Sequence, residues 1–430
     1  MLGWPPHEVK ALNVSAPSRA VVRYRAQEMT LNPSPRRAWF NHVLAAPVLP
    51  EAMEAIEELL EEERREGAPV GEERRRQVIE AARGAVAHLL GAHPDEIILT
   101  SGGTEAANLA IKGCAQAACR GAPGRLVTST VEHTAVLYPM QSLQRDGFEL
   151  HSLPVDSCGT VDPAQLDDAL TRSTALVSIQ HANHELGTLQ PLSELARATR
   201  KHGVPLHVDA VAGAGLATLD VGVLGVDLLS LSAARLGGLA GTGALWVRPG
   251  VRLQPQIEGG IQEGGRRGGS ENLVGLVALA AAAIAAAGRE EERWAHTRRL
   301  RDRLESGLRQ ALPDMVVNGP ASEQRLPGHL HVSFPGAEGE SMVYRLRRQR
   351  VEVSTGSACT GEAGKPSHVL QATGMEPQRS RCSVLFSLGP ASRMEDVQRA
   401  LEVVPAAVQH LRSMGLEAVA PHLDPGSGLT

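Results

Sequence analysis

From residue 96 onward, short apolar stretches alternate with helical ones. The apolar stretches are IILT (97–100), RLVTST (125–130), FELHSLP (148–154), ALVSIQ (175–180) and PLHVDAV (205–211). Helical segments are expected from Gly103, Ala135, Asp162 and Leu192. Brief, nearly continuous apolar strands joined by helices cannot leave a sheet face open to water. They require an α/β fold whose mainly parallel sheet is covered on both faces. In such sheets ligands gather where the strands end, at their carboxyl edge.

The remaining chain frames that sheet. Residues 1–37, with prolines at 5, 6, 17, 33 and 35, are expected to be an irregular arm. Two charged helices, near 51–66 and 72–90, are separated by the GAPVG break at 67–71. The large α/β domain is expected over 38–288, its first residues packing with the second domain. A smaller α+β domain is expected over 289–414, and a loose tail over 415–430. The alanine-rich run at 273–288 is shorter than the roughly 20 residues of a membrane span, so it reads as a buried helix. The opening residues, MLGWPPHEVKALNV, carry no basic stretch followed by an apolar core, so no secretory signal is expected.

Composition narrows the function classes. A net charge of −5 and 3% aromatic residues argue against nucleic-acid or anionic-membrane binding. Five cysteines in 430 residues are too few, and odd in number, for a disulfide framework, so a cytoplasmic setting is expected.

Several residues at strand ends have chemical potential. TSGGTE (100–105) leaves a strand and opens a helix. Backbone N–H groups around Gly103, with the Thr104 hydroxyl, form either a phosphate cup or ordinary helix caps. His133 ends the next strand and suits ring stacking, proton transfer or a structural role. HANHELG (181–187) holds two histidines and a glutamate, but without the His-Glu-x-x-His spacing of a zinc helix; no metal site is expected. Asp209 suits either a partnership with a pyridinium nitrogen or a helix cap. In STGSACTG (354–361), Cys359 lies on a Gly/Ser loop, as a mobile thiol or an unreactive one.

Together with SLSAARLGGLAGTGALWVR (230–248), these motifs resemble the cysteine desulfurase and selenocysteine lyase family of the class V aminotransferases. The resemblance covers residues 39–414. It implies the pyridoxal 5′-phosphate (PLP)-dependent transferase fold, a homodimer, and C–S cleavage of L-cysteine to alanine and a cysteine persulfide. Carried over residue by residue, it makes Gly103 and Thr104 the phosphate turn and His133 the ring-stacking imidazole. Asn183 becomes the amide toward the ring hydroxyl, and Asp209 the partner of the pyridinium nitrogen. Ser232 joins the phosphate site, Ser270 reaches the phosphate of the neighbouring subunit, and Cys359 is the persulfide carrier.

The departures are concentrated on the reacting groups. Arg235 stands where the family's lysine forms a Schiff base with PLP, and Ala234 where a histidine precedes it. Leu385 replaces the arginine that clamps the substrate carboxylate. Ala212 replaces a ring-supporting glutamine, His184 a second asparagine and Gly264 an arginine. NHVLAAP (41–47) lacks most of the polar groups of its counterpart. Arginine stays protonated and forms no ordinary imine. Losing a general base also costs roughly 10²–10⁴-fold in rate. The expectation is therefore a degenerate homologue without covalently held PLP or standard catalysis, which pairs with an active paralogue or a sulfur acceptor. The alternatives are an altered PLP or phosphate-ligand enzyme and a persulfide relay through Cys359.

Overall fold

The structure is a computed structural model that describes residues 36–118, 122–356 and 367–415. The chain divides into two units, Met1–Arg37 and Ala38–Thr430; the elements that follow belong to the second.

The strands in chain order are β1 (Ala38–Trp39), β2 (Ile97–Thr100), β3 (Arg125–Ser129), β4 (Glu149–Leu153), β5 (Thr174–Gln180) and β6 (Leu206–Asp209). They continue with β7 (Leu228–Ser232), β8 (Gly243–Val247), β9 (Val316–Asn318), β10 (His329–Ser333), β11 (Val351–Glu352) and β12 (Ser383–Ser387). Seven of them make one sheet in the order β2-β8-β7-β6-β5-β3-β4. Only β8 runs against its neighbours, so β2, β3, β5, β6 and β7 end at the same edge. The α/β fold with a mainly parallel sheet is thus as the alternating sequence requires. All seven residues of β5 are buried, which is why its apolar residues do not alternate with exposed polar ones.

Each face of the sheet has its own apolar layer. One combines Leu99, Val127, Ile179 and Val208 with the helices Glu72–Leu90 and Leu273–Ala286. The other sets Ile98, Leu126, Leu176 and Leu245 against Gly103–Ala118 and Thr134–Arg145. The Leu273–Ala286 helix packs along Glu72–Leu90 and Pro50–Glu66. Its small Ala278, Ala282 and Ala283 are wholly buried there, because alanine lets helix backbones approach closely. Among the described residues, no single helix is long and apolar enough to cross a membrane.

Helix ends follow local chemistry. Glu72–Leu90 begins after Gly71 and stops at Gly91, whose φ of 62° is left-handed; there Ala92 N donates back to Ala87 O at 2.9 Å.

A separate core lies over the sheet β12-β10-β9, joining Phe40, Leu304, Phe334, Phe386 and Val404. The Phe40 and Phe386 rings meet edge to face at 5.8 Å. β1 pairs in parallel with β11, so the first described strand is bonded to a late one. β11 is only two residues long, and Ser354 beyond it makes an isolated bridge to Leu385.

Candidate functional site

The common strand edge opens on a cavity of about 220 Å³. Gly103 and Thr104 reach it from the turn after β2, and His133 from the turn after β3. Gln180 and His184 reach it from β5, Asp209 and Ala212 from β6, and Ser232 and Arg235 from β7. Val43 and Leu44 complete the wall.

Gly103 and Thr104 open the 16-residue Gly103–Ala118 helix. The first-turn N–H groups of a helix have no intrahelical acceptor and favour an anion. A Cβ on Gly103 would sit 2.5 Å from Val211 Cγ2, so glycine allows the turns after β2 and β6 to touch. Glu105 flanks this helix start. It accepts from Ser101 N at 2.7 Å and from Arg267 Nε at 2.9 Å. Burial would raise its pKa, but the Arg267 and Ser101 hydrogen bonds outweigh that and hold it below the usual carboxylate range. Ser270 lies outside the cavity wall and is exposed.

His133 caps the Thr134–Arg145 helix, its Nδ1 accepting from Ala135 N at 3.1 Å. In the neutral ring this leaves Nε2 as the donor. Its edge meets the His184 ring at 5.1 Å and 87°, and His184 stacks with His368 at 6.3 Å. Burial lowers His133 while Asp209 raises it; burial raises Asp209 while His133 lowers it. Asp209 Oδ1 accepts from Val211 N at 3.0 Å, holding the carboxylate at the strand end.

Asn183 is fully buried and stands behind the wall. Its Oδ1 accepts from Glu185 N at 3.0 Å and Leu186 N at 2.8 Å, and its Nδ2 donates to Val131 O at 3.0 Å. Both acceptor lone pairs thus serve the turn, and the amide does not line the cavity.

Gln180, the last residue of β5, lines the cavity; its strand-end position is the signal from which sequence reasoning could have found it. The neighbouring Glu132 is wholly buried, accepts from Ser129 Oγ at 2.6 Å, and is pushed by burial up to about 8.

Arg235 lies on the Ala233–Leu236 turn of helix and lines the cavity. Its Nη1 donates to His42 O at 2.5 Å. The chain then turns at Gly237, whose φ is 96° and where a Cβ would lie 2.6 Å from Leu49 Cγ. Burial lowers His42, His133, His184 and His329, and the positive charge of Arg235 lowers them further; it also lowers Asp209. The chain has four lysines. Lys112 lies on the Gly103–Ala118 helix, and Lys201 pairs with Asp167 at 2.7 Å. Lys10 and Lys365 fall outside the described residues, and no described lysine lines the cavity.

Leu385 is buried in β12, opposite His331, and does not line the cavity. Cys359 lies outside the described residues. Glu185 touches both flanks of its loop: it accepts from Ser367 Oγ at 2.7 Å, and its Oε2 lies 3.0 Å from where a Gly356 Cβ would be. Burial raises Glu185 to about 7, against the Ser367 hydrogen bond.

The donor set fits one part of PLP and not another. The helix N-terminus, Thr104 and Ser232 suit a phosphate, His133 an aromatic face and Asp209 a protonated ring nitrogen. Where an amine would be needed, the cavity presents a guanidinium.

The aminotransferase class V family model matches residues 45–400. Cysteine desulfurase IscS of Dictyoglomus turgidum is 40% identical over 385 residues, covering 88% of this chain and 96% of that protein. The IscS-like cysteine desulfurase of Mycobacterium tuberculosis is 39% identical over 389 residues, covering 89% and 98%. A solved structure described as a NifS-like protein superposes with a TM-score of 0.80 at 31% identity, covering 87% of this chain and all of that one.

Proposed function

The chain belongs to the class V aminotransferases and, within them, to the cysteine desulfurase family, whose members depend on PLP; from that premise we propose that it is a degenerate member which binds a ligand in the family site without performing the family reaction. Arg235 carries this reading. A guanidinium keeps its proton near neutral pH and does not anchor an aldehyde or withdraw a substrate proton. PLP supplies an electron sink where it is bound and covalently exchanged. Here the residues support holding and orienting a phosphorylated ring. Leu385 supports the same conclusion, because a buried alkyl side chain offers a substrate carboxylate nothing to bind.

A homodimer, the arrangement implied by the family resemblance, and a cytoplasmic setting complete the proposal. Cys114, Cys158 and Cys382 are free thiols, which fits a reducing compartment. An active paralogue or a sulfur-acceptor protein is the proposed partner.

The test is to incubate purified protein with L-cysteine and PLP and measure alanine and sulfide together. Background levels are expected. PLP-dependent turnover of both products would overturn the proposal.

A further inference from the structure

We propose that a cleft at the opposite edge of the large sheet binds a small ligand carrying two or more linked phosphates. The cleft shares no lining residue with the cavity around Gly103 and Asp209, so the proposal is independent of what that cavity binds.

Strand polarity separates the two places. β5, β6 and β7 begin at this edge, at Thr174, Leu206 and Leu228, and the antiparallel β8 ends there at Val247. The cleft beside these strand ends has a volume of about 760 Å³, inside the roughly 300–1,000 Å³ range of small-molecule sites. Arg172 enters from the turn before β5 and Arg200 from the last turn of the Leu192–His202 helix. Arg248 and Arg252 enter from the segment after β8. Asp227 is the sole carboxylate among the described residues that line the cleft. Four guanidiniums against one carboxylate is a local excess of positive charge in a chain whose net charge is −5.

Two of the four arginines are fixed by the backbone between β6 and β7. Arg248 Nε donates to Val226 O at 3.0 Å and lies 3.0 Å from Asp227 Oδ1. Arg200 Nη2 donates to Gly225 O at 3.1 Å. Gly225 has a φ of 70°, and a Cβ there would collide with that same nitrogen. Asp227 is engaged on its other oxygen as well, Oδ2 accepting from Leu206 N at 2.9 Å. Arg172 and Arg252 are exposed, and among the described residues neither has a hydrogen bond or an ion pair.

Guanidiniums present paired N–H donors that match phosphate oxygens, and a concave surface of one sign concentrates ligands of the other. Arginines from three separate segments call for a ligand with several phosphates rather than one. Between them the lining is apolar, with Ala117, Ala175, Val204, Pro205 and Val251, a surface on which a flat organic group would lie. The recognised chemistry is a linear di- or triphosphate, either inorganic or carried by a nucleoside.

The experiment is calorimetric titration of the full chain with adenosine triphosphate, inorganic tripolyphosphate, adenosine monophosphate and adenosine, at low and at physiological salt. Both triphosphates are expected to bind at least about tenfold tighter than the monophosphate, as added charge-assisted pairs would give. Adenosine is expected to give no measurable heat, and the triphosphate affinity to fall as salt rises. Arg172→Gln with Arg252→Gln is expected to weaken both triphosphates at least about tenfold, and each single substitution to give part of that loss. Both side chains are exposed, so the variants are expected to melt with the parent. Adenosine triphosphate binding tighter than tripolyphosphate would support a nucleotide as the ligand; equal or weaker binding would support the inorganic chain. Triphosphates no tighter than the monophosphate would overturn the proposal. So would affinity unchanged in the double variant, which would place the binding elsewhere on the chain.

Discussion

The Arg83 guanidinium meets the Glu263 carboxylate edge to edge, Nη1 to Oε2 at 2.7 Å and Nη2 to Oε1 at 2.9 Å. Both side chains are almost wholly buried. Glu263 Oε2 also accepts from Leu99 N at 2.9 Å, and Arg83 Nη1 donates to Ile97 O at 2.6 Å. The pair therefore ties the glycine-rich segment around 264 to β2. Glu263 itself has a φ of 51°, a conformation that costs a non-glycine residue on the order of 1–3 kcal/mol and needs such an anchor.

Removing one member of this pair leaves a buried charge unmatched. Arg83→Met is expected to destabilise the chain by about 3–5 kcal/mol. The double substitution Arg83→Met with Glu263→Leu is expected to recover most of that, since apolar replacement of a whole buried pair is often neutral or better. Denaturant unfolding of the parent and the two variants checks this. A double variant as unstable as the single one would show that the pair has another role.

Gly103→Ala tests the contact between the turns after β2 and β6. The added methyl would meet Val211 Cγ2 at 2.5 Å, and valine has little rotamer freedom with which to retreat. A loss of about 1–3 kcal/mol is expected from overpacking, together with weaker phosphate-ligand binding. Val211→Ala in the same chain is expected to restore stability. Thermal unfolding with and without ligand measures both effects.

Stability should peak near pH 6.5. Burial holds His42, His181 and His331 at about 4, and His207 and His329 at about 3, against an ordinary 6.5. Between those values the unfolded chain binds protons that the folded chain does not, so stability is lost as pH falls below 6.5. Glu132 and Glu185 act in the opposite sense, raised by burial to about 8 and about 7 from 4.5. The folded chain keeps protons there that the unfolded chain releases, so their contribution is complete below 4.5 and is lost as pH rises toward 8. Melting temperatures across this range should rise and then fall, and Glu132→Gln should flatten the alkaline limb. A midpoint that still climbs through pH 8 would contradict the burial of these carboxyls.

Arg235→Lys should restore the covalent bond without restoring the reaction. The new amine adds to the PLP aldehyde carbon with loss of water, and borohydride delivers hydride to the resulting C=N bond. About one equivalent of cofactor should then be fixed per chain, against background in the parent, because a desolvated lysine is a competent nucleophile. Desulfuration should stay low, because Leu385 still offers no carboxylate clamp. Mass spectrometry of the reduced protein and an alanine assay separate the two outcomes.

The large sheet is legible in sequence because its strands are short, mostly apolar runs set between helical stretches, and helices such as Glu72–Leu90 are bounded by glycines, here Gly71 and Gly91. β9 is not legible, since three residues pairing only with β10 carry no local period. β12 stands out as a motif rather than a strand, its identity coming from pairing with β10 across fifty or more residues. At the site, His133, Asp209, Ser232 and Arg235 converge as their strand-end positions imply. Asn183 is different: its side chain is largely spent on the turn 183–186, a tertiary use that residue type alone does not reveal. Glu263 escapes notice because its partner Arg83 lies 180 residues away.

The registers of the central strands set Gln180 beside Asp209 and Asp209 beside Ser230, with Ser232 and Arg235 just beyond. The spacing among these ligand-facing groups is thus set by backbone pairing and owes nothing to the side chain at 235. Tool and jig are separable in this architecture. A lineage can exchange the reagent at one position while every measured offset around it is preserved, so the loss of an old chemistry leaves a calibrated mount on which another can be fitted.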